Sequence, residues 1–315
     1  MTSIVIGTVA LLLAQVERVQ NLESIGDQST SADLARQLTR VDSRVFSADE
    51  AKDRRLAETL QRDVQRRREL ANQQSTLAWR ELKGVSDWER FRDTRIDALR
   101  ESLGQFPPVP DDLHVRVTRT LEGRGYRIDN LVFESRPGVF VTANLYYPDR
   151  PPQSMPGIVL CHSHHNPKTQ GELQDMGMLW ARLGCSVLAM DQLGHGERPQ
   201  HPFRSAEDYP GQFQPGRQDY YFRYNVGIQL HLVGDSLLGW MAWDLMRGVD
   251  LLLARPGIDP KRIILLGAVA GGGDPTAVTA AIDRRIAAVV PFNFGGPRTI
   301  RAGDAVRARR FRRPS

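Results

Sequence analysis

The stretch from Arg262 to Thr276, RIILLGAVAGGGDPT, constrains the fold of this chain more than any other segment. It begins as a run of Ile and Leu typical of a fully buried strand, breaks at glycines, and resumes as a helix predicted over residues 275–282. A buried strand, a sharp Gly-rich turn and a helix form the setting of a nucleophile elbow, G-x-S-x-G. Gly267, Val269 and Gly271 match that spacing, but the middle position holds a valine.

Spacing alone leaves two positions open for the tip of this turn. Counting from the start of the strand places the tip at Val269, whereas counting back from the triple glycine 271–273 places it at Ala270. Neither side chain can attack a carbonyl. The N–H of the residue after the tip would still point towards an anion bound at the start of the helix. The turn could therefore bind an oxyanion or a carboxylate without catalysing a reaction. A phosphate loop is disfavoured, because GAVAGGGDP lacks a G-K-[ST] ending.

The rest of the pattern places this turn in an α/β domain, predicted over residues 81–297. Short turns at 122–125 and 136–138 separate three strand patterns, which predicts an antiparallel meander. From residue 157 onward, short apolar strands alternate with helical patterns, including one long helix predicted over 229–254. Such alternation indicates βαβ units and a mainly parallel sheet flanked by helices.

Three segments outside this domain have other compositions. Residues 15–80 are polar with helical spacing of their apolar positions, which predicts a helical arm or linker before the domain. Residues 298–315 have no periodic pattern and are expected to be a basic, disordered tail.

The first 14 residues contain an apolar run from Ile4 to Ala14, which is too short to span a bilayer. The run suits a signal peptide, in which case the protein is secreted or periplasmic. No Lys or Arg precedes it, and Leu12 occupies the place of a small residue before the cleavage site. The alternative is therefore a buried or amphipathic N-terminal helix in a cytoplasmic protein. In neither case is an integral membrane span expected.

The net charge of +5 is concentrated at the end of the chain. Residues 298–315 contain seven Arg and one Asp, so the preceding 297 residues sum to a net charge of −1. The basic balance is therefore poor evidence for a nucleic-acid partner. Nothing in the charge pattern specifies an oligomeric state.

The chain has two cysteines, Cys161 and Cys185, and each lies within an apolar segment. Both are predicted to be small buried hydrophobic residues. Their spacing fits neither a metal site nor a disulfide framework, and no cofactor is expected.

Polar residues follow the strand pattern GIVLC, where His162, Ser163 and His164 occur in the sequence CHSHHN. Because ligands gather at the carboxyl ends of strands in open α/β sheets, this loop is one candidate for a pocket. It could supply backbone N–H groups to an oxyanion, or its histidines could simply fix the loop through bonds to the backbone. A metal site is disfavoured, because no carboxylate accompanies the clustered histidines.

The next strand pattern, SVLAM, ends in DQLGHGER, which contains Asp191, Gly194 and Gly196. The glycines allow a tight turn, and an Asp at a strand end can anchor that turn by accepting backbone hydrogen bonds. We interpret Asp191 as scaffolding of the pocket and not as a catalytic acid.

Six segments in the right order make residues from about 80 to 297 resemble the α/β-hydrolase superfamily. The likeness is to its acetylxylan-esterase-like and dienelactone-hydrolase-like branch. The segments are WERFRDTRIDALRESLGQFP, GVFVTANLYYP, PGIVLCHSHHN, LGCSVLAMDQLGHGER, DSLLGWMAWDLMRGVDLLLARPGIDPKRI and AAIDRRIAAVVPFNF.

The resemblance implies carboxylic-ester hydrolysis, with acetylated plant polysaccharide as the substrate. It also implies a serine at the tip of the turn, with N–H groups of Ser163, His164 and the post-elbow residue as oxyanion donors. The acid and the histidine of the triad would follow about 80 to 150 residues beyond the elbow. This chain continues for 46 residues after Val269. We therefore expect a C-terminally incomplete domain, and an ending that comes from a shifted reading frame or an early stop.

The sequence-based expectation is thus an esterase-related protein that is catalytically inactive, because the serine, the acid and the histidine are all missing. A carbohydrate- or carboxylate-binding module and a fragment of a longer active esterase are the alternatives. A further alternative is that residues 15–80 form a coiled coil that binds a partner. The expected ligands are a carbohydrate ester or a small carboxylate.

Overall fold

The computed structural model describes residues 31–42, 44–163, 167–200 and 218–292. The predicted signal peptide over residues 1–14 and the predicted tail over 298–315 lie outside the described residues. The chain divides into two compact units, residues 1–68 and residues 69–315.

The described part of residues 31–80 is helical and has no buried side chain. Its elements are helix α1 (Ser31–Leu38), helix α2 (Ala48–Asp53), a 3₁₀ turn (Leu56–Glu58) and helix α3 (Thr59–Arg80). Ser47 and Glu50 form a capping box at the start of α2, with each side chain bonded to the other's backbone N–H. The helical spacing seen in the sequence agrees with these helices, and the role of residues 15–80 as an arm or linker stays a prediction.

The second unit combines five further helices with one seven-stranded sheet. The helices are α4 (Val85–Ser102), α5 (Gly171–Arg182), α6 (Gln218–Leu232), α7 (Leu237–Leu253) and α8 (Val269–Ile282). The strands are β1 (Arg116–Gly123), β2 (Tyr126–Arg136), β3 (Val139–Pro148), β4 (Met155–Cys161), β5 (Ser186–Met190), β6 (Ile258–Ala268) and β7 (Ala288–Phe292). Among the described helices, none is long and apolar enough to cross a membrane.

The sheet has the strand order β1-β2-β3-β5-β4-β6-β7. Strands β1, β2, β3 and β5 pair antiparallel in succession, whereas β5, β4, β6 and β7 are mutually parallel. Five of the seven strands therefore run in one direction, and only β1 and β3 oppose them. The predicted meander and the predicted α/β sheet flanked by helices are both confirmed.

Apolar side chains cover both faces of the central strands, which explains why the sequence there reads as continuous apolar runs. In β4, Val159 packs into the core on the face that carries residues of α7, while Ile158 and Leu160 pack into the core on the face that carries residues of α5. All three side chains are buried. This two-sided burial fixes the register of β4, because a shift by one residue would exchange the two cores.

Two predicted helix boundaries are wrong, and both errors have a physical cause. The single helix predicted over 229–254 is two helices, α6 and α7, because Gly234 adopts a positive φ of 80° and Ser236 caps α7. Helix α8 begins at Val269, six residues before the predicted start at Pro275. Three glycines and a proline give this first part of α8 a low helix propensity, and tertiary contacts override it.

Candidate functional site

Three of the predicted pocket segments meet at one edge of the sheet. Cys161 at the end of β4 is in register with Met190 at the end of β5 and with Gly267 near the end of β6. The residues that follow these strands, including His162 and Asp191, therefore lie side by side. We call the region after β4, β5 and β6 the strand-end site.

The turn between β6 and α8 has the backbone shape of a nucleophile elbow, with Val269 at its tip. Ala268 is extended (φ −122°, ψ 146°), and Val269 has a left-handed φ of 61°. A β-branched residue in this region is a conformational outlier, because its branched Cβ crowds the backbone. Ala270, the other predicted tip, is instead the second residue of the helix.

Close packing of the helix against the strand holds this turn. A Cβ added to Gly267 would lie 2.2 Å from the carbonyl oxygen of Gly272 and 2.2 Å from the hydroxyl of Thr276. A Cβ added to Gly272 would lie 2.5 Å from the carbonyl oxygen of Cys161. Both glycines are thus needed for the close approach of α8 to β6 and to the end of β4.

Pro275 lies inside α8 and has no N–H to donate to the carbonyl of Gly271, four residues earlier. The side-chain amide of Gln192 replaces that donor, since its Nε2 lies 2.8 Å from the Gly271 oxygen. A bond from the turn after β5 thus satisfies the carbonyl that Pro275 leaves without a helical donor.

Gln192 also connects the other strand ends, and it was not among the predicted site residues. Its Nε2 lies 2.5 Å from the carbonyl oxygen of His162 and 3.1 Å from the thiol sulfur of Cys161. Its Oε1 accepts a bond of 2.6 Å from Arg223. Apart from its position next to Asp191, no pattern in the sequence points to this residue, because all of these partners are distant in the chain.

His162 is a buried, neutral imidazole that is fully used by the fold. Its Nε2 accepts the backbone N–H of Gln192 at 2.9 Å, so its Nδ1 carries the proton and donates to the carbonyl of Ser163 at 2.6 Å. Burial lowers the pKa of His162 to about 3, and the neighbouring His195 and Arg223 add to the lowering. The ring centroids of His162 and His195 are 4.9 Å apart. His162 therefore has no lone pair free to act as a general base.

We expect His162 to stay neutral, in the Nδ1–H form, from pH 8 to about pH 4. The reason is that burial disfavours its charged form and the N–H of Gln192 occupies its Nε2 lone pair. Histidine ¹⁵N chemical shifts measured by NMR across this range would check the expectation. Protonation of His162 near pH 6.5 would contradict the assignment.

The loop after β4 is described only in part. Ser163 is half-buried, and its carbonyl accepts the His162 ring N–H. His164, the third predicted residue of this loop, lies outside the described residues. The predicted oxyanion role of Ser163 and His164 stays a prediction.

Asp191 lies at the centre of a buried hydrogen-bond network. Its carboxylate accepts bonds from the Lys168 backbone N–H (2.9 Å), the Lys168 ammonium (2.5 Å), the Thr142 hydroxyl (2.8 Å) and the Glu197 N–H (3.2 Å). Burial raises the pKa of Asp191, but the bonds and charge of Lys168 and the bond from Thr142 outweigh it and keep the pKa below 3.8.

Both predicted turn glycines have left-handed backbones, and Gly196 packs directly against this carboxylate. Gly194 and Gly196 have positive φ angles of 82° and 56°, and a Cβ on Gly196 would lie 2.3 Å from an Asp191 carboxylate oxygen. The arrangement suits an anchor for the turn. An acid that accepts this many bonds is poorly placed to take up a proton.

Sequence reasoning missed the cations that accompany Asp191. Lys168 is buried between the carboxylates of Asp191 and Glu197, and Arg198 is buried and donates to the Asp244 carboxylate at 2.8 Å. Both pairs join segments that are far apart in the sequence. No local pattern could have shown them.

The thiol at the strand ends is not a substitute nucleophile. Burial raises the pKa of Cys161 to about 12, so the thiol is protonated near neutral pH. Among the described residues, no group of three or more His, Cys, Asp and Glu side chains could hold a metal ion.

A family model described as acetyl xylan esterase (AXE1) matches residues 111–305 of the chain, which is more than half of its length. The chain belongs to the acetyl xylan esterase family. Membership confirms the resemblance to the acetylxylan-esterase-like branch of the α/β hydrolases. No curated protein sequence matches the chain.

Solved structures agree with this membership at the level of the fold. A protein of Bacteroides fragilis NCTC 9343, provisionally assigned as an acetyl xylan esterase, is 20% identical with a TM-score of 0.52, over 65% of this chain and 53% of its own. The methylesterase BT1017 is 19% identical with a TM-score of 0.51, over 69% of this chain and 44% of its own.

The acetyl xylan esterase from Paenibacillus sp. R4 is 22% identical with a TM-score of 0.42, over 67% of this chain and 60% of its own. The chain thus spans about half the length of these solved structures. At these identities the likeness shows the fold alone.

Proposed function

We propose that this member of the acetyl xylan esterase family binds a carbohydrate ester at the strand-end site without hydrolysing it. The observation that carries the proposal is the position of Val269. It occupies the tip of an elbow whose backbone has the left-handed conformation that would present a nucleophile. An isopropyl group at that position cannot attack an acyl carbon.

The described groups around Val269 do not replace the missing nucleophile. The Cys161 thiol is protonated and buried, and the Thr276 hydroxyl is buried and donates to the carbonyl of Gly272 at 2.6 Å. Of the imidazoles at the strand ends, His162 has both ring nitrogens engaged, and His195 contacts Leu193 and Arg223. A serine at position 269 would therefore lack a partner to take its proton within the described site.

The site nevertheless keeps groups suited to an ester carbonyl or a carboxylate. The first backbone N–H groups of α8 have no partner inside the helix, and they lie directly after the tip of the elbow. The helix dipole favours negative charge at this end. Val269, which is 36% exposed, supplies apolar surface for an acetyl methyl group. The names of the related esterases favour an acetylated xylan as the ligand.

Acetylated xylo-oligosaccharides are expected to raise the melting temperature of the purified protein. The same oligosaccharides are expected to raise it less after their acetyl groups have been removed with alkali. The protein is expected to release no acetate from the acetylated oligosaccharides. Equal melting temperatures with the two preparations would overturn the proposed ester recognition.

Val269→Ser is expected to remain inactive towards 4-nitrophenyl acetate and acetylated xylo-oligosaccharides, because no described histidine can activate the new hydroxyl. Val269→Ala is the matched control, since it also removes both methyl groups but adds no nucleophile. Acetate release by the serine variant alone would show that a working base lies at the site, and would disprove a non-hydrolysing architecture.

A further inference from the structure

The loop that follows β4 lies directly beside the elbow. Residues 162–170 connect β4 to α5, and we call them the β4 loop. A Cβ added to Gly272, in the first turn of α8, would lie 2.7 Å from the carbonyl oxygen of His162, the first residue of the loop. A ligand bound at the start of α8 would therefore lie next to the β4 loop, and the conformation of this loop bears on ligand binding.

The turn after β5 holds the start of the β4 loop. The backbone N–H of Gln192 donates to Nε2 of His162 at 2.9 Å, and the side-chain amide of Gln192 donates to the carbonyl oxygen of His162 at 2.5 Å. One residue of the turn thus fixes both the ring and the backbone of His162.

The same turn holds the end of the β4 loop through Lys168. The backbone N–H of Lys168 donates to one carboxylate oxygen of Asp191 at 2.9 Å, and its ammonium donates to the other at 2.5 Å. The ammonium also donates to Glu197 at 2.5 Å. The N–H of Gln170 donates to the carbonyl of Pro167 at 3.0 Å, which closes a tight turn around Lys168. The end of the loop is therefore held by backbone and side chain together.

The two anchors of the β4 loop lie next to each other in the chain, since Asp191 and Gln192 are consecutive. Residues 163–167 lie between His162 and Lys168, so a short segment has both of its ends attached to one place. Such a segment has lost much of its conformational freedom before a ligand arrives. Less entropy is then lost on binding, which favours affinity.

The turn after β5 is itself well fixed, so it can serve as the anchor. The N–H of Gly194 donates to the carbonyl of Arg198 at 3.0 Å and closes the turn. The N–H of Asp191 donates to the carbonyl of Thr142 in β3 at 2.9 Å, and the Arg198 guanidinium donates to Asp244 in α7 at 2.8 Å. The turn is thus attached to the sheet and to a helix that packs on it.

The ammonium of Lys168 adds a link that the backbone cannot supply. Any residue other than proline at position 168 could donate its N–H to Asp191. A buried lysine is uncommon, because it is costly to remove its charge from water. The side chain of Lys168 is 3% exposed, and it joins the fully buried carboxylate of Asp191 to the 71% exposed carboxylate of Glu197. Lys168 therefore attaches the β4 loop to both the first residue and a late residue of the turn after β5.

We propose that Lys168 is a positioning residue, which holds the β4 loop in the conformation that binds ligand at the strand-end site and does not contact the ligand itself. The inference rests on the proposed function, because it makes the affinity of that site depend on a residue outside it. A purely stabilising role would differ in one respect. It would change the fraction of folded molecules and leave the affinity of those molecules unchanged.

NMR order parameters of the full chain test the anchoring without a ligand, because they report motion in folded molecules. The backbone amides of residues 168–170 should have order parameters of about 0.85 in the wild type and below about 0.6 in Lys168→Met. Thr142→Val is the matched control. It removes the 2.8 Å bond from the Thr142 hydroxyl to the same carboxylate of Asp191, but it changes no residue of the β4 loop. Its order parameters at 168–170 should equal those of the wild type.

Isothermal titration calorimetry with acetylated xylo-oligosaccharides tests the consequence for binding. Lys168→Met is expected to weaken binding at least about tenfold, whereas Thr142→Val should bind as the wild type does. The double variant Lys168→Met, Asp191→Leu leaves no isolated buried charge, so it keeps the test open if Lys168→Met does not fold. It should show the same mobile loop and the same weak binding.

The outcomes separate this inference from the proposed function. Order parameters that Lys168→Met leaves at the wild-type values overturn the inference, and so does a mobile loop with unchanged affinity. Equal losses of affinity in Thr142→Val and Lys168→Met also overturn it, since a general loss of stability would then be the cause. A loop that becomes mobile in Lys168→Met, in a protein whose wild type binds no acetylated ligand, refutes the proposed function and supports the anchoring of the loop.

Discussion

Asp191→Asn is expected to lower the free energy of unfolding by about 3–5 kcal/mol at neutral pH, although the substitution preserves shape. It leaves the ammonium of Lys168 buried without its main counter-charge, and it replaces one acceptor oxygen with an amide nitrogen. Burial and pairing of this carboxylate are nearly complete, since its side chain has no exposed surface. Urea unfolding followed by circular dichroism would measure the loss.

The pH dependence of that loss provides a second signature. Because the pKa of Asp191 in the folded state is held below its ordinary 3.8, the carboxylate stabilises the fold above that value and ceases to do so as pH falls below it. The difference in stability between the wild type and Asp191→Asn should therefore be largest near pH 7 and should shrink as the pH falls below 3.8. A constant difference across this range would contradict the role of the charged form.

Two further variants isolate the buried pair. Asp259→Asn removes a carboxylate that bonds to Arg262 at the surface, and it should change stability little because exposed pairs contribute little. The double variant Lys168→Met, Asp191→Leu should lose less unfolding free energy than the two single variants lose together, because it leaves no isolated buried charge.

Gly267→Ala is expected to cost about 3 kcal/mol of unfolding free energy, at the upper end of overpacking effects. The new methyl group would lie 2.2 Å from the carbonyl oxygen of Gly272 and the same distance from the hydroxyl of Thr276. To relieve the clash, α8 must move away from β6, which also disturbs the elbow.

The structure supplies two controls for this substitution. Gly171→Ala, at the start of α5, meets no atom within 4 Å and should be neutral or slightly stabilising. Adding Thr276→Ala to Gly267→Ala removes the hydroxyl but leaves the backbone carbonyl of Gly272. Most of the loss in unfolding free energy should therefore remain. Full recovery in this double variant would mean that the backbone of α8 is not the obstacle.

The fold could be predicted from the sequence because its signals are local. Apolar runs such as GIVLC and SVLAM mark strands buried on both faces, and short turns mark the meander. Six segments in the expected order then indicated the family, which the family model confirms. The errors lie where local propensity and tertiary contacts disagree, as in the glycine-rich start of α8.

The candidate site was predictable only in outline. The positions of His162, Asp191 and the elbow followed from strand ends, but spacing could not decide between Val269 and Ala270. The backbone conformation decides it, since Val269 alone of the two begins the helix with a positive φ. Gln192 and Lys168 were missed, because their contacts join segments that only the folded sheet brings together.

The catalytic and oxyanion roles assigned to the elbow and to the loop after β4 stay predictions.

The left-handed conformation of Val269 has a consequence for how such a protein can change over time. A valine is among the residues least suited to this conformation, yet the turn keeps it, so neighbouring residues and not the tip residue must determine the shape. Gly267, Gly272 and the amide of Gln192 supply that shape through contacts that do not involve the tip side chain. Mutation at position 269 can therefore alter the chemistry of the site while the architecture around it is inherited unchanged.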